Sequence, residues 1–138
     1  MRIRLANKND IKFIQNLQKL VGPTELGFSE VLDDKELLDI FKDKLTFIAL
    51  DKNKPIGFII GSKIRPFGAM IANLAILPDY QKHLVGLFLI KYFEDMAIKR
   101  NILWILSYIK HTPTKQLIER NNRKYFIGDK YTEVLTVL

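Results

Sequence analysis

The chain has 138 residues, 48% hydrophobic and 27% charged, a size and balance that fit one domain, residues 1–138, around one core and exclude a disordered polymer. It has no cysteine and two histidines, which excludes disulfides and thiol catalysis and argues against a zinc site, so no metal is expected. Lys and Arg total 22 against 15 Asp and Glu, a net charge of +7 that favours an anionic partner.

The N-terminal MRIRLANKND has no apolar signal core, which predicts an intracellular, cytoplasmic protein. Ile3 and Leu5 alternate with Arg2 and Arg4, as in a short strand with one buried face. Asn9 or Asp10 then caps a helix whose Ile11, Ile14, Leu17 and Leu20 form one apolar stripe. Gly22-Pro23 ends it. Asp33, with Glu36 three residues on, reads as a capping box for a second helix that turns Leu37, Leu38, Ile40 and Phe41 inward.

Residues 45–50 and 56–60 are β-rich runs on either side of Asp51-Lys52-Asn53-Lys54, which is the pattern of a hairpin. A turn at Arg65-Pro66-Phe67-Gly68 leads into a strand over 69–77, apolar on both faces and therefore central. Residues 86–99 form a helix with Lys91, Glu94, Asp95 and Lys99 as its wet stripe; Phe88, Phe93 and Trp104 read as core. No apolar run reaches the roughly 20 residues that a membrane span needs, so no membrane partner is expected. A buried strand follows over 102–109. Thr112-Pro113 opens a helix running to about Asn122, and strands over 125–127 and 131–138 close the chain. The resulting order, β-α-α-β-β-β-α-β-α-β-β, predicts an α/β (α+β) mixed, mostly antiparallel twisted sheet with helices on both faces and one parallel crossover around Gly86.

The stretch Gln81-Lys82-His83-Leu84-Val85-Gly86 joins strand to helix where an anion-binding turn would lie. Backbone N–H groups there tolerate changes of side chain, provided that Leu84 needs no positive φ, where a residue with a Cβ is disfavoured. The alternative is a plain β-α connection with a packing glycine. Further on, between Lys99 and Lys130, eight basic residues (Lys99, Arg100, Lys110, Lys115, Arg120, Arg123, Lys124, Lys130) face two acidic ones, Glu119 and Asp129.

This order, with these residues in these places, resembles the GCN5-related N-acetyltransferase (GNAT) superfamily over nearly the whole chain. IRLANKNDI resembles its opening strand and helix, and FIALDKNKPIGFIIG its hairpin of strands two and three. The segment from Asn73 to Ile109 resembles its acetyl-CoA core, with a loop of the form Gln/Arg-x-x-Gly-x-Gly/Ala. Gln81 and Gly86 match that loop, and Leu84 stands where the first glycine would be, so the loop is a degenerate one. The downstream signature Asn-x-x-Ala-x-x-x-Tyr-x-x-x-Gly-Phe falls on His111, Thr114, Ile118, Asn122 and Arg123, with none of the five types retained.

The resemblance implies that acetyl-CoA, or another acyl-CoA, binds at Leu74, Ile76, Leu77, Gln81, Lys82, His83, Leu84, Val85, Gly86 and Leu87. It implies an acyl-CoA-dependent N-acyltransferase acting on a primary amine of unknown identity. Catalytic candidates are His111 and Asn73, with Ser107 and Tyr108 on opposite faces of one strand. His111 also reads as an exposed helix-entry residue, Asn73 as an amide serving a strand bulge, and His83 as a phosphate neighbour or a surface residue. The alternative function is an inactive GNAT-like protein that binds nucleic acid or a protein partner through the basic C-terminal segment. A third is another transfer chemistry on the same scaffold. As an assembly, a monomer or a homodimer is expected.

Overall fold

A computed structural model describes residues 1–21, 31–110, 122–127 and 131–138. Their strands are β1 (Arg2–Leu5), β2 (Thr46–Asp51), β3 (Lys54–Ile64), β4 (Gly68–Ile76), β5 (Trp104–Lys110), β6 (Arg123–Ile127) and β7 (Tyr131–Val137). The helices are α1 (Ile11–Val21), α2 (Asp34–Phe41) and α3 (Val85–Lys99). One sheet takes the strands in the order β1-β2-β3-β4-β5-β7-β6. Every neighbouring pair is antiparallel except β4–β5, which is parallel and is bridged by α3. The expected mixed, mostly antiparallel sheet with β4 at its centre is thus the fold observed, though most of β4 is only partly buried. The helix expected over residues 112–122 lies outside the described residues.

Local chemistry explains most boundaries. Lys52 and Asn53 sit at φ 47° and 67°, the double left-handed turn that suits the twist of a two-residue hairpin. Asp33 and Glu36 form the reciprocal capping box of α2, with Glu36 N donating to Asp33 at 2.8 Å and Asp33 N to Glu36 at 3.2 Å. The cap before α1 lies earlier than expected. Asn7 accepts from Asn9 N, and Asp10 accepts from Asn7 N, which closes a 3₁₀ turn over Lys8–Asp10. Asp10 also takes a two-pronged bond from Arg4, both contacts at 2.8 Å, tying β1 to this turn. At the far end of α3, Asn101 takes φ 61° in place of a glycine, and Ile102 N closes the turn onto Ala97 O.

The sheet separates two apolar layers. Phe47, Ile59, Leu89, Phe93 and Ile105 are buried on the α3 face; Ile14, Leu17, Leu37, Phe58 and Ile60 are buried under α1 and α2. Alternation along β3 sends Phe58 and Ile60 one way and Ile59 the other. Each such side chain contributes about 1.5–3 kcal/mol by leaving water. α3 lies so close to the sheet that the Phe93 ring covers Gly61, where a Cβ would come within 2.2 Å of it.

Several readings of side-chain direction need correction; Leu5 and Leu20, read as parts of buried faces, are both exposed. Leu38 is exposed rather than inward, because α2 turns only Leu37 fully into the core. Phe88 is half exposed, one face of α3 being left uncovered near its N-terminus. Glu94 is not part of the wet stripe. It is buried and accepts from Arg123 of β6 at 2.6 Å, with both side chains at least nine-tenths out of water.

Candidate functional site

The parallel pair β4–β5 runs in register only from Gly68↔Trp104 to Ile71↔Ser107. Beyond it, β4 continues to Ile76 along β3, and β5 continues to Lys110 along β7, without pairing to each other. The register with β3 explains where they part. Ile60 pairs with Asn73 and Gly61 with Ile71, so Ala72 is an extra, bulged residue. A bulge bends and twists its strand and re-aims the side chains that follow. β4 therefore leaves β5, and its edge from Ala72 to Ile76 presents backbone groups that no β5 neighbour takes up.

At the end of β4, Pro78–Tyr80 make a 3₁₀ turn and residues 81–84 lead into α3. Leu84 is the residue before the helix, at φ 61° and ψ 13°. That is left-handed backbone, the conformation that a glycine adopts without strain. The condition set on the sequence is therefore not met: Leu84 does take positive φ, a conformation disfavoured for a residue with a Cβ, and it carries its side chain there. That side chain is 60% exposed. Phe88 N bonds to Leu84 O, which starts the helix. No side chain caps α3, and its first turn holds no acidic residue, so the amides of Val85, Gly86 and Leu87 stay at the positive end of the helix dipole without a side-chain acceptor.

Gly86 discriminates between a packing glycine and a ligand-approach glycine. A Cβ built on it would meet only Leu74 Cδ2, at 3.8 Å, an ordinary contact. Its φ is not positive either. Neither protein packing nor backbone conformation requires glycine there. What glycine gives at this place is close access to the helix N-terminus. Gly57, Gly61 and Gly68 differ from it, since each is closed over by a neighbouring side chain nearer than 3 Å.

The loop's other side chains divide by task. Val85 is buried in the core, so only its backbone faces the mouth of the cleft. Gln81 turns back and donates to Ile76 O at 3.1 Å, tying loop to strand. Lys82 and His83 are exposed, and Leu87 is half buried. Tyr80 donates to Asp51 at 3.0 Å, which raises its pKa above the ordinary tyrosine value. The ammonium of Lys54 lies 5.9 Å above its ring. Leu74, Ile76 and Leu77 pack partly against the α3 core and line the diverging stretch.

The catalytic candidates fall in three places. Asn73 is half buried on the α1–α2 face, opposite Ile60, with no side-chain hydrogen bond among the described residues. The bulge lies next to it at Ala72, and the Asn73 amide does not serve it. Tyr108 is on the same face as Asn73, one residue beyond the last β4–β5 pair and opposite Glu133 of β7. Ser107 is on the α3 face with Ile105, so it is separated from the other two by the sheet. His111 lies outside the described residues. Sequence reasoning misses the Tyr80–Asp51 bond; it reads a bulge near Asn73 but not at Ala72, and it leaves the φ of Leu84 an open question.

The sheet thus parts between two parallel strands, with the uncapped N-terminus of α3 at the opening. The acetyltransferase (GNAT) family model matches residues 13–122, and the chain belongs to that family. No curated protein matches it. Solved structures share the fold at low identity. PaiA N-acetyltransferase from Thermoplasma acidophilum, in complex with coenzyme A, is 18% identical with a TM-score of 0.80, over 99% of this chain and 98% of that one. Ribosomal-protein-S18-alanine N-acetyltransferase from Escherichia coli is 15% identical with a TM-score of 0.78, over 99% and 92%. N-acetylglutamate synthase from Neisseria gonorrhoeae, with coenzyme A and N-acetyl-glutamate, is 16% identical with a TM-score of 0.81, over 99% of this chain and 35% of that one.

Among the described residues, no helix is long and apolar enough to cross a membrane, and no group of His, Asp and Glu is placed to hold a metal.

Proposed function

We propose that residues 1–138 act as a single acyl-CoA-dependent N-acyltransferase domain, with acetyl-CoA as the first choice of cofactor and a primary amine as acceptor. The observation that carries this reading is Gly86: an open, packing-free glycine at the uncapped start of α3, where β4 and β5 part. The amides of Val85, Gly86 and Leu87 would hold the pyrophosphate by backbone donation and the helix dipole, with Lys82 and His83 adding charge nearby. The free edge of β4 from Ala72 to Ile76 would pair with the amides of the pantetheine arm, over Leu74, Ile76 and Leu77.

When bound, acetyl-CoA supplies an acyl group activated as a thioester. The chain's own part is orientation and charge. Backbone donors of β4 would polarise the acyl oxygen, and holding both reactants in place would remove the entropy of encounter. Asn73 and Tyr108 share the α1–α2 face beyond the divergence, where the amine would approach and shed its proton. Recognition of CoA and an N-acetyltransferase activity in the structural neighbours support the reading.

For the rival, a binder of nucleic acid or a protein partner through the basic segment, the described residues include exposed Lys99 and Lys124. Arg123 is buried against Glu94, and Arg100 donates to Lys44 O, so neither is a free surface cation. A thermal-shift titration with CoA tests the proposal. At 100 times the dissociation constant the ligand adds about 2.7 kcal/mol, which is a rise of roughly 10 °C for a domain this size. No shift at millimolar CoA refutes it.

A further inference from the structure

A leucine at φ 61° has no side-chain hydrogen bond with which to stabilise a left-handed backbone, so its neighbours must hold it there. On the helix side it is fixed by Phe88 N bonding to Leu84 O at 3.1 Å. On the loop side a chain of contacts leads away from it. His83 N donates to Tyr80 O at 3.1 Å, and the Tyr80 phenol donates to Asp51 at 3.0 Å. Asp51 is the last residue of β2, on the hairpin next to β4, and Lys54 from the same hairpin lies over the Tyr80 ring. Of the loop's other ties among the described residues, the Gln81 side chain bonds to Ile76 O within the flanking strand, and the backbone of Leu77, at the start of the loop, bonds to Ile56 O of β3 at 2.8 Å. The phenol bond is thus the loop's side-chain anchor to the body of the sheet beyond β4.

We propose that Tyr80 and Asp51 are positioning residues of the anion site: their bond, relayed through His83, holds Leu84 in the left-handed conformation that presents the α3 amides. The pair does for this loop what a glycine at position 84 would do by conformational freedom alone. Neither residue touches the ligand. The inference rests on the proposed CoA site for its functional consequence, while the mechanical part stands in the free protein.

Two measurements separate those parts. The first is amide hydrogen exchange of His83 in the protein without ligand. Tyr80→Phe should speed exchange at His83 about fivefold and leave the core amide of Ile59 unchanged. Asp51→Asn, which keeps an acceptor, should stay near wild type, and Asp51→Ala should behave like Tyr80→Phe. Unchanged protection of His83 in Tyr80→Phe overturns the proposal, whether or not CoA binds. The second is CoA affinity by calorimetry for wild type, Tyr80→Phe, Leu84→Gly and the double variant. Tyr80→Phe should weaken binding about fivefold, and Leu84→Gly in the same chain should restore it to within about twofold, since glycine needs no clamp. A double variant as weak as Tyr80→Phe alone overturns the relay through Leu84. Wild type that binds no CoA removes the functional reading and leaves the exchange result to decide the clamp.

Discussion

Replacing Gly86 with alanine should move stability and ligand response in opposite directions. The new methyl group would sit 3.8 Å from Leu74 Cδ2, with no closer neighbour outside its own helix turn, so it introduces no clash. Alanine is favoured over glycine in a helix interior by about 1 kcal/mol, and less in the first turn, so a gain of about 0.5 kcal/mol is expected. That corresponds to a rise of roughly 2 °C in the melting temperature of the free protein. The same methyl stands where an anion must approach the amides of Val85, Gly86 and Leu87. Losing one charge-assisted hydrogen bond costs about 1.5–3 kcal/mol, or about a hundredfold in affinity at the upper end. At a CoA concentration 100 times the wild-type dissociation constant, the ligand contribution falls from about 2.7 to about 0.4 kcal/mol. Differential scanning fluorimetry of both proteins, with and without CoA, reads both effects. A lower melting temperature for free Gly86→Ala would mean that the glycine is there for packing. A higher one with an undiminished CoA shift would mean that the anion binds elsewhere.

Three further outcomes follow from contacts away from Gly86. Glu94→Ala removes a carboxylate partner of the buried Arg123 side chain and should cost about 3–5 kcal/mol in urea unfolding, whereas Glu94→Met with Arg123→Met should recover most of the loss; equal losses would deny the pair. Gly61→Ala drives a Cβ to 2.2 Å from the Phe93 ring and 2.9 Å from Leu45 O, so destabilisation of at least ~1–3 kcal/mol is expected, and a neutral result would mean that α3 rides higher on the sheet. The Tyr80–Asp51 bond needs the phenol proton, and it raises the Tyr80 pKa above its ordinary 10.0. Its contribution is therefore complete below that ordinary value and lost as pH rises through the raised one. The advantage of wild type over Tyr80→Phe in CoA affinity should be constant from pH 7 to 9 and vanish at higher pH; an advantage that vanishes near pH 7 would point to another group.

What could be read from the sequence was what depends on near neighbours. The Asp33–Glu36 box, the turn at Lys52-Asn53 and the largely apolar run of β4 each carry their signal within a few residues, and each appears where the pattern put it. Glu94 shows the limit. A glutamate among Lys91, Asp95 and Lys99 reads as solvated, and its partner Arg123 is 29 residues away on β6. Arg123 in turn stands at the phenylalanine of the family signature, and the position is buried here. At that one position the departure from the signature is a buried arginine side chain together with a glutamate that neutralises it. The bulge at Ala72 was equally hidden, because it is a mismatch of register between two strands and neither strand shows it alone.

Leu84 joins these points. By residue type the loop had lost a glycine, and the question was whether it had lost its shape. The backbone stays left-handed at the cost of some strain, and the bonds on either side of Leu84 are what hold it. An anion site built from amides depends on dihedral angles and on an unobstructed approach, and only at Gly86 does the approach demand a missing side chain. At position 84 the requirement is an angle, which the fold can enforce from outside through Tyr80 and Asp51. A motif written in residue types counts both glycines alike. The physics separates them: at 86 the glycine leaves open space, since a Cβ would meet only Leu74, whereas at 84 a glycine would relieve the strain of a left-handed backbone.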